Sequence, residues 1–304
     1  MPTRTRWQFS ALEAQQAREL LSIYQRDLGV AATGLVSELS RSAIPADYWS
    51  EMEGVAAQLG VPLDSVLCGN LYYDALKVAL MGCTAFAVDT PIGPLHARNL
   101  DWWTDNDALR RYTRQSEFSG SGAGDFVTVG WPGFVGVFSG VAPGRFAVTL
   151  NAVISDESPP QLGMPVVFAL RRVLEEASNF EAALESLVNI PLASDSLLLL
   201  TGVRQGEMAV VERTPSRAEV RYGENGSIFV TNDYKLIRTG LSGFASELQA
   251  TACGRYRRAE QLVTARRPQT ADECFACLND DGVRMRITAQ QMVLQAATGL
   301  CVSR

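Results

Sequence analysis

The pattern of apolar and polar positions changes character near residue 82. Before it the spacing is helical. Residues 10–28 (SALEAQQARELLSIYQRDL) place apolar side chains three and four apart behind Ser10, a residue suited to cap a helix. A second helix is expected over Asp47–Leu59, closed by Gly60. A third runs from Pro62 to about Leu80, with Pro62 in the tolerated first turn. Beyond residue 82 short strands dominate. Cys83–Val88 and Leu95–Asn99 flank a turn at Asp89–Gly93 and read as a hairpin. Strands are predicted at Phe126–Trp131, Phe134–Ser139 and Arg145–Asn151, separated by Pro132-Gly133 and Pro143-Gly144. Two helices, Pro165–Ser178 and Phe180–Val188, precede four strands at Ser196–Thr201, Glu207–Arg213, Arg217–Tyr222 and Ser227–Thr231. Helices at Arg255–Arg266 and Thr270–Leu278 and a strand at Arg286–Leu294 complete the series.

Strands joined by short turns pair antiparallel. Two helix pairs around two such sheets give an α+β body of four layers, αββα, with the helical first segment packed outside it. The loop FSGSGAGD (118–125) is glycine-rich but lacks the lysine ending of a phosphate loop, and reads as a mobile loop beside a cleft.

Composition adds exclusions. The 304 residues are 47% hydrophobic and 20% charged, which is globular, and the net charge of -6 with no basic stripe argues against nucleic acid as a partner. The first residues, MPTRTRWQFSALEAQQ, lack the apolar core of a signal peptide, and no run of about eighteen apolar residues exists to span a membrane. The longest apolar stretches, around Val78–Met81 and Leu197–Leu200, suit a buried core. The six cysteines are scattered, so a cytoplasmic location without a disulfide framework is expected. Cys274 and Cys277 form a CxxC without zinc spacing or a redox-fold context, and read as helix cysteines. His96 is the only histidine, so a histidine-rich metal site is excluded and no metal or cofactor is expected. Any Cys–His or Ser–His pair would have to use His96.

The chemistry concentrates at Cys83. A thiol needs a base, and one base available without histidine is the α-amino group of the same residue, with a reference pKa of roughly 7.7–8.0. That amine exists only if the Gly82–Cys83 bond is cut, and Gly82 would allow the strained backbone such a cut uses. The hairpin returns Arg98 and Asp101 toward Cys83, where Arg98 would favour a thiolate and Asp101 would accept from an ammonium. Read without any family, Cys83 taken alone is a core thiol, Asn151 and Asn232 are turn residues and Arg255 is an exposed helix-start arginine, while a surface ion pair is the alternative for Arg98 and Asp101.

The segment CTAFAVDTPIGPLHARNLDWW resembles the start of the mature subunit in the acid ceramidase and N-acylethanolamine acid amidase family, within the choloylglycine hydrolase and penicillin V acylase group. PADYWSEMEGVAAQLGVPLDSVLCGNLYYDAL is similar to its helical prosegment, and GFVGVFSGVAPGRFAVTLNA, IFVTNDYKLI and CGRYRRAEQL to later blocks. The resemblance implies the N-terminal nucleophile hydrolase fold, with a helical prosegment over 1–82 and a catalytic domain over 83–304. It implies autocatalytic cleavage between Gly82 and Cys83, two fragments that stay associated, and Cys83 as nucleophile and, through its amine, general base. It further implies that Arg98 and Asp101 orient Cys83, that Asn151 contacts the amine or the substrate carbonyl, that Asn232 supplies a side-chain N–H to an oxyanion hole, and that Arg255 buttresses the site. Departures are Ala152 where relatives with LNER carry glutamate, a longer stretch between Asn70 and Cys83, and VTNDYK in place of TNYDHWK.

The activity implied is hydrolysis of the linear amide bond of an N-acyl amide, such as an N-acylethanolamine, a ceramide-like lipid or an N-acyl amino acid. Trp102, Trp103, Trp131 and Phe134 would line an acyl pocket or belong to the core. Tyr72, Tyr73, Leu76 and Val78 offer a hydrophobic face for lipid or for peripheral membrane contact. Two alternatives remain open: an amine acyltransferase of the isopenicillin N acyltransferase type, and a catalytically silent lipid-binding relative.

Overall fold

The computed structural model of the protein describes residues 3–28, 41–76, 81–157, 163–240 and 247–304. Three helices come first: α1 (Ala11–Leu28), α2 (Ala46–Leu59) and α3 (Leu63–Leu76). Ser10 and Glu13 start α1 reciprocally. Glu13 N donates to Ser10 Oγ at 3.2 Å, and Ser10 N donates to the Glu13 carboxylate at 2.8 Å. Gly60 ends α2 at φ 63, a left-handed position that a side chain resists. Residues 77–80 of the expected third helix, with the apolar stretch at 78–80, lie outside the described residues.

The body then alternates as the sequence predicts. Strands β1 (Met81–Thr90) and β2 (Gly93–Trp102) form the hairpin, followed by the short helix α4 (Ala108–Arg111). A run of strands follows: β3 (Arg114–Phe118), β4 (Phe126–Gly130), β5 (Ser139–Ala142) and β6 (Phe146–Asn151). Helices α5 (Val166–Glu176) and α6 (Phe180–Asn189) lead to β7 (Ser196–Thr201), β8 (Met208–Arg213), β9 (Ala218–Tyr222) and β10 (Ser227–Val230). Helices α7 (Glu247–Ala265) and α8 (Ala271–Leu278) and strands β11 (Thr288–Gln295) and β12 (Leu300–Ser303) complete it. One sheet runs β10-β1-β2-β11-β12, the other β3 to β9 in sequence order, and every strand pair is antiparallel.

Side-chain alternation builds the layers. Phe86, Val88, Leu95 and Ala97 point from the five-stranded sheet onto Ala259, Val263, Phe275 and Leu278 of α7 and α8. Ala85 and Ala87 point the other way, onto Leu197, Leu199, Met208 and Val210 of the second sheet. Helices α5 and α6 close that sheet's outer face. The result is the expected four-layer αββα sandwich. Among the described residues no helix is long and apolar enough to cross a membrane.

Four expectations change. Residues 134–138 are not a strand; the N–H groups of Val135, Gly136 and Val137 bond to α3 and α5, while the Phe138 carbonyl accepts from Leu150 N of β6 at 2.9 Å. Helix α7 begins at Glu247, ahead of Arg255. Strands β3 and β12 were not anticipated, because RQSEF and LCVS are short strands at the edges of their sheets, without a buried face to mark them. The loop at 118–125 is the β3–β4 hairpin connection.

The first three helices share a core with the body. Leu20, Tyr24, Leu67, Tyr72 and Tyr73 cluster with Trp102, Trp131 and Phe138. The two parts are also joined by charge. Arg171 of α5 donates to Glu51 of α2 from both terminal nitrogens, at 2.6 and 2.7 Å, and both side chains are fully buried. Removing Glu51 leaves the buried Arg171 with Glu175, 3.1 Å from its Nε, as its remaining carboxylate, so Glu51→Ala is expected to cost toward the lower end of about 3–5 kcal/mol of stability, measured by urea unfolding.

Candidate active site

The residues singled out at Cys83 converge on one end of the β1–β2 hairpin. In its register Gly82 faces Asp101 and Cys83 faces Leu100. Cys83 is fully buried, with its thiol on the inter-sheet side, where Arg98 of β2 also projects. Arg98 Nη2 lies 3.4 Å from Cys83 Sγ and donates to the Leu150 carbonyl as well. Its Nη1 donates to the Phe138 carbonyl at 3.0 Å and to Ser139 Oγ.

The opposite face of the sheet carries Asp101 and Thr84. Arg98 and Asp101 are both fully buried and, among the described residues, form no ion pair with each other, so the surface-pair alternative does not hold. Asp101 Oδ1 accepts from Thr288 Oγ1 at 2.5 Å; Oδ2 is buried and has no hydrogen-bond partner among the described residues. Arg255, one face of α7, donates to the Cys83 carbonyl, to Thr84 Oγ1 at 2.7 Å and to Asn232 Oδ1 at 2.7 Å. The same Asn232 oxygen accepts from Cys83 N at 3.1 Å, and Asn232 Nδ2 donates to the Ala152 carbonyl at 2.8 Å. Asn232 therefore meets Cys83 through its oxygen in the uncut chain, with its N–H group turned to Ala152. Asn151 Nδ2 donates to the Val230 and Thr231 carbonyls at 3.2 and 3.0 Å, which ties the end of β6 to the end of β10. Its Oδ1 is buried and has no hydrogen-bond partner among the described residues.

Gly82 shows close packing rather than strain. It lies in the regular β1 ladder without a positive φ. A Cβ there would stand 2.9 Å from Met285 Sδ and 3.3 Å from Asp101 Cβ, so backbone and acid meet closely at the bond before Cys83.

His96 cannot act on this thiol. It is fully buried between Thr149 Oγ1 at 2.8 Å and Thr201 Oγ1 at 3.2 Å, and burial lowers its pKa to about 3. Burial is also the largest influence on Asp101 and raises its pKa, against the Thr288 hydrogen bond and the charges of Arg255, Arg98 and Arg284. A raised folded-state pKa means that the contribution to stability is complete below the ordinary value of 3.8 and is lost as pH rises through the raised one. Asp101→Asn is therefore expected to raise Tm at about pH 7, with the gain vanishing near about pH 3. Parallel melts of the two proteins check this.

Of the proposed pocket residues, Trp102, Trp131 and Phe134 pack together, and Trp103, 48% exposed, stands outside the cluster. Trp102 shares the inter-sheet face with Cys83, two positions along. Rings from the first helices fill the space beside it: Tyr72 lies 5.4 Å and Tyr24 6.2 Å from Trp102, and Tyr73 lies 5.9 Å from Phe138. Tyr72 and Tyr73 are thus buried rather than part of an exposed lipid-facing surface. The Leu76 side chain and Val78 lie outside the described residues. A separate cleft of about 810 Å³ lies between β10 and α7, lined by Arg221, Lys235, Tyr256 and Arg267 among others, and no residue of the Cys83 cluster lines it.

Cys274 is buried and Cys277 half-buried, and burial raises the pKa of both thiols, which makes them poor redox partners. Among the described residues no three His, Cys, Asp or Glu side chains gather to hold a metal. Thr84, Thr288, Ser139 and Asn70 join the site without having been singled out. The β11 pairing that brings Thr288 beside Asp101 is invisible before the sheet order is known.

The sequence profile described as acyl-coenzyme A:6-aminopenicillanic acid acyl-transferase matches residues 88–289. Acid ceramidase of Balaenoptera acutorostrata scammoni is 27% identical over 194 residues, 56% of this chain and 48% of that protein. The N-acylethanolamine-hydrolyzing acid amidase of Caenorhabditis elegans is 25% identical over 211 residues, 65% of this chain and 58% of that protein. The chain spans about half the length of the curated relatives it matches. A solved structure of the Caenorhabditis elegans N-acylethanolamine-hydrolyzing acid amidase ortholog shares its fold, with a TM-score of 0.57 at 23% identity, over 71% of this chain and 93% of that one.

Proposed function

Because the chain belongs to the acyl-coenzyme A:6-aminopenicillanic acid acyl-transferase family, we propose that it is an autoproteolytically activated cysteine amidase. It would hydrolyse the linear amide bond of an N-acyl, fatty-acyl-type substrate through an acyl-enzyme on Cys83. The observation that carries this reading is the setting of Cys83. Its thiol lies 3.4 Å from the Arg98 guanidinium and its nitrogen 3.1 Å from Asn232 Oδ1, with Arg255 holding both its carbonyl and that same oxygen. A core cysteine has no use for such an arrangement.

Activation begins with the thiol attacking the Gly82 carbonyl. The peptide becomes a thioester, and water releases Gly82 as a carboxylate and Cys83 as a free amine. The prosegment (1–82) and the catalytic part (83–304) are then separate chains, held together by their shared core and the Glu51–Arg171 pair. In turnover the amine takes the thiol proton, the thiolate attacks the substrate carbonyl, and the proton passes to the leaving amine. Water, deprotonated by the same amine, releases the acid. Arg98 favours the thiolate, and Asp101 and Asn151 fix the strand ends around it. Asn232 orients the amine through Oδ1. Its Nδ2, turned to Ala152 in the uncut chain, is the donor we assign to the oxyanion, an interaction worth about 10²–10³ in rate.

The acyl chain would occupy the space beside Trp102, Trp131 and Phe134 once the prosegment rings shift. The family's description favours a second reading, transfer of the acyl group to an amine instead of water. Both are tested by incubating the cut protein with an N-acylethanolamine, a ceramide, an N-acyl amino acid and an acyl-coenzyme A, with and without an added amine. Free fatty acid from an amide, unaffected by the amine, is the expected product. New amide formed only when an amine is supplied would establish transfer, and no product from any substrate would leave a binding protein.

A further inference from the structure

In the reading above the helices ahead of the cut bond are a segment to be severed. One of their side chains reaches further. Asn70 of α3 is buried and its amide is fully used. Oδ1 accepts from Val135 N at 2.6 Å and from Gly136 N at 3.2 Å. Nδ2 donates to the Gly133 carbonyl at 3.1 Å and to the Val66 carbonyl at 2.9 Å. A primary amide has two N–H donors and one acceptor oxygen, so nothing on Asn70 is left for solvent.

The segment that Asn70 grips meets a ladder at its far end, where the Phe138 carbonyl accepts from Leu150 N of β6 at 2.9 Å. Residues 134–137 are irregular, and their backbone groups must find partners elsewhere. Arg171 Nη1 donates to the Val135 carbonyl at 3.0 Å, and Arg171 is itself held by Glu51 of α2. Val137 N donates to the Val167 carbonyl at 2.9 Å. A Cβ on Gly136 would stand 2.8 Å from Val167 Cβ, so the segment is pressed against α5 on its far side. Two residues of the first helices, one directly and one through Arg171, therefore fix this stretch.

Its end is where Arg98 lands. Arg98 Nη1 donates to the Phe138 carbonyl at 3.0 Å and to Ser139 Oγ, and Nη2 of the same group lies 3.4 Å from Cys83 Sγ. A guanidinium is a rigid planar fork, so anchoring one nitrogen aims the other. We propose that Asn70 is a positioning residue for Cys83, acting through residues 133–138 and the Arg98 fork, so that the prosegment stays part of the working site after the chain is cut. This rests on Cys83 being the nucleophile.

The test follows iodoacetamide labelling of Cys83 in the cut full-length protein, peptide by peptide, across pH. Asn70→Ala is expected to move the midpoint of Cys83 labelling up by about half a pH unit, less than removing the Arg98 cation outright would. It should lower kcat with little change in KM and leave labelling of the exposed Cys253 unchanged. Ser139→Ala removes the other end of the same path, so the double variant should shift the midpoint no further than the larger single one. If Asn70→Ala does not fold, Asn70→Ser takes its place, since a hydroxyl cannot span the Gly133 carbonyl and both amides. On size exclusion the two fragments should co-elute. An unmoved midpoint in a folded Asn70 variant overturns the proposal, and so does a separated 83–304 fragment that keeps full activity. Failure of the nucleophile reading looks different: wild-type Cys83 would then be neither a new N-terminus nor more reactive than the buried Cys274.

Discussion

Cys83→Ala is expected to remain one uncut chain and to lose amide cleavage by a factor on the order of 10⁴ or more, as removal of a covalent nucleophile does. Intact mass of the denatured protein, beside wild type and over a range of pH, reads the first part. Wild type should split into a fragment ending at Gly82 and one beginning at Cys83. In the proposed function the two losses have one cause, a thiol that would attack the Gly82 carbonyl first and the substrate carbonyl afterward. They also separate in an informative way. Truncation at Cys83 deletes the Sγ contact with Arg98 but leaves the backbone contacts with Asn232 and Arg255 in place. The variant should therefore fold with the same helices packed on the same aromatic cluster, and its melting temperature should stay near that of the uncut wild type. Wild type that stays whole at every pH, with Cys83→Ala indistinguishable from it, would remove both the amine base and the proposed activity.

Much of this site was legible in the chain because the β1–β2 hairpin is local. Two runs of apolar residues around Pro91 and Gly93 fix a register in which Arg98 lies diagonally across from Cys83, and no distant contact is needed to see it. The four-layer order followed for the same reason: the turns are short and the helices come in pairs. What could not be read were contacts made across sequence. Thr288 meets Asp101 only because β11 pairs with β2, and the irregular stretch at 134–138 looks like a strand until Asn70, α5 and Arg171 are seen taking its backbone bonds. Alternation predicts which face a side chain takes, not which helix will press on it. The same limit explains Trp103. The sequence groups it with Trp102, but consecutive strand residues point apart, and β2 ends at Trp102. Asn232 illustrates a subtler gap. Its presence near Cys83 followed from the resemblance, whereas which end of its amide faces the nitrogen is decided by Arg255 donating to the oxygen.

That last contact sets the second large effect. Arg255→Leu is expected to lower kcat/KM by about 10²–10³, the range for losing one oriented charge-stabilising group in an acyl-transfer site. Three acceptors lose the guanidinium at once: the Cys83 carbonyl, Thr84 Oγ1 and Asn232 Oδ1, which keeps Cys83 N alone. Asn232 then has no charge holding its oxygen toward the Cys83 nitrogen, so the amine proposed as base would lose its orientation. Arg255→Lys should recover little, because a single ammonium on a flexible stem cannot fork to three acceptors on two elements. A pH profile separates this from simple loss of fold. Arg255 is one of the charges that pull the Asp101 pKa down against burial, so its removal lets that pKa rise further. More of Asp101 is then protonated at any pH near its midpoint, and the acid limb of kcat/KM should move upward in Arg255→Leu. In Arg255→Lys, which keeps the charge, the limb should stay near wild type while kcat remains low. Equal profiles for all three proteins would mean that Arg255 acts on packing alone, and that Asp101 does not feel the helix that carries it.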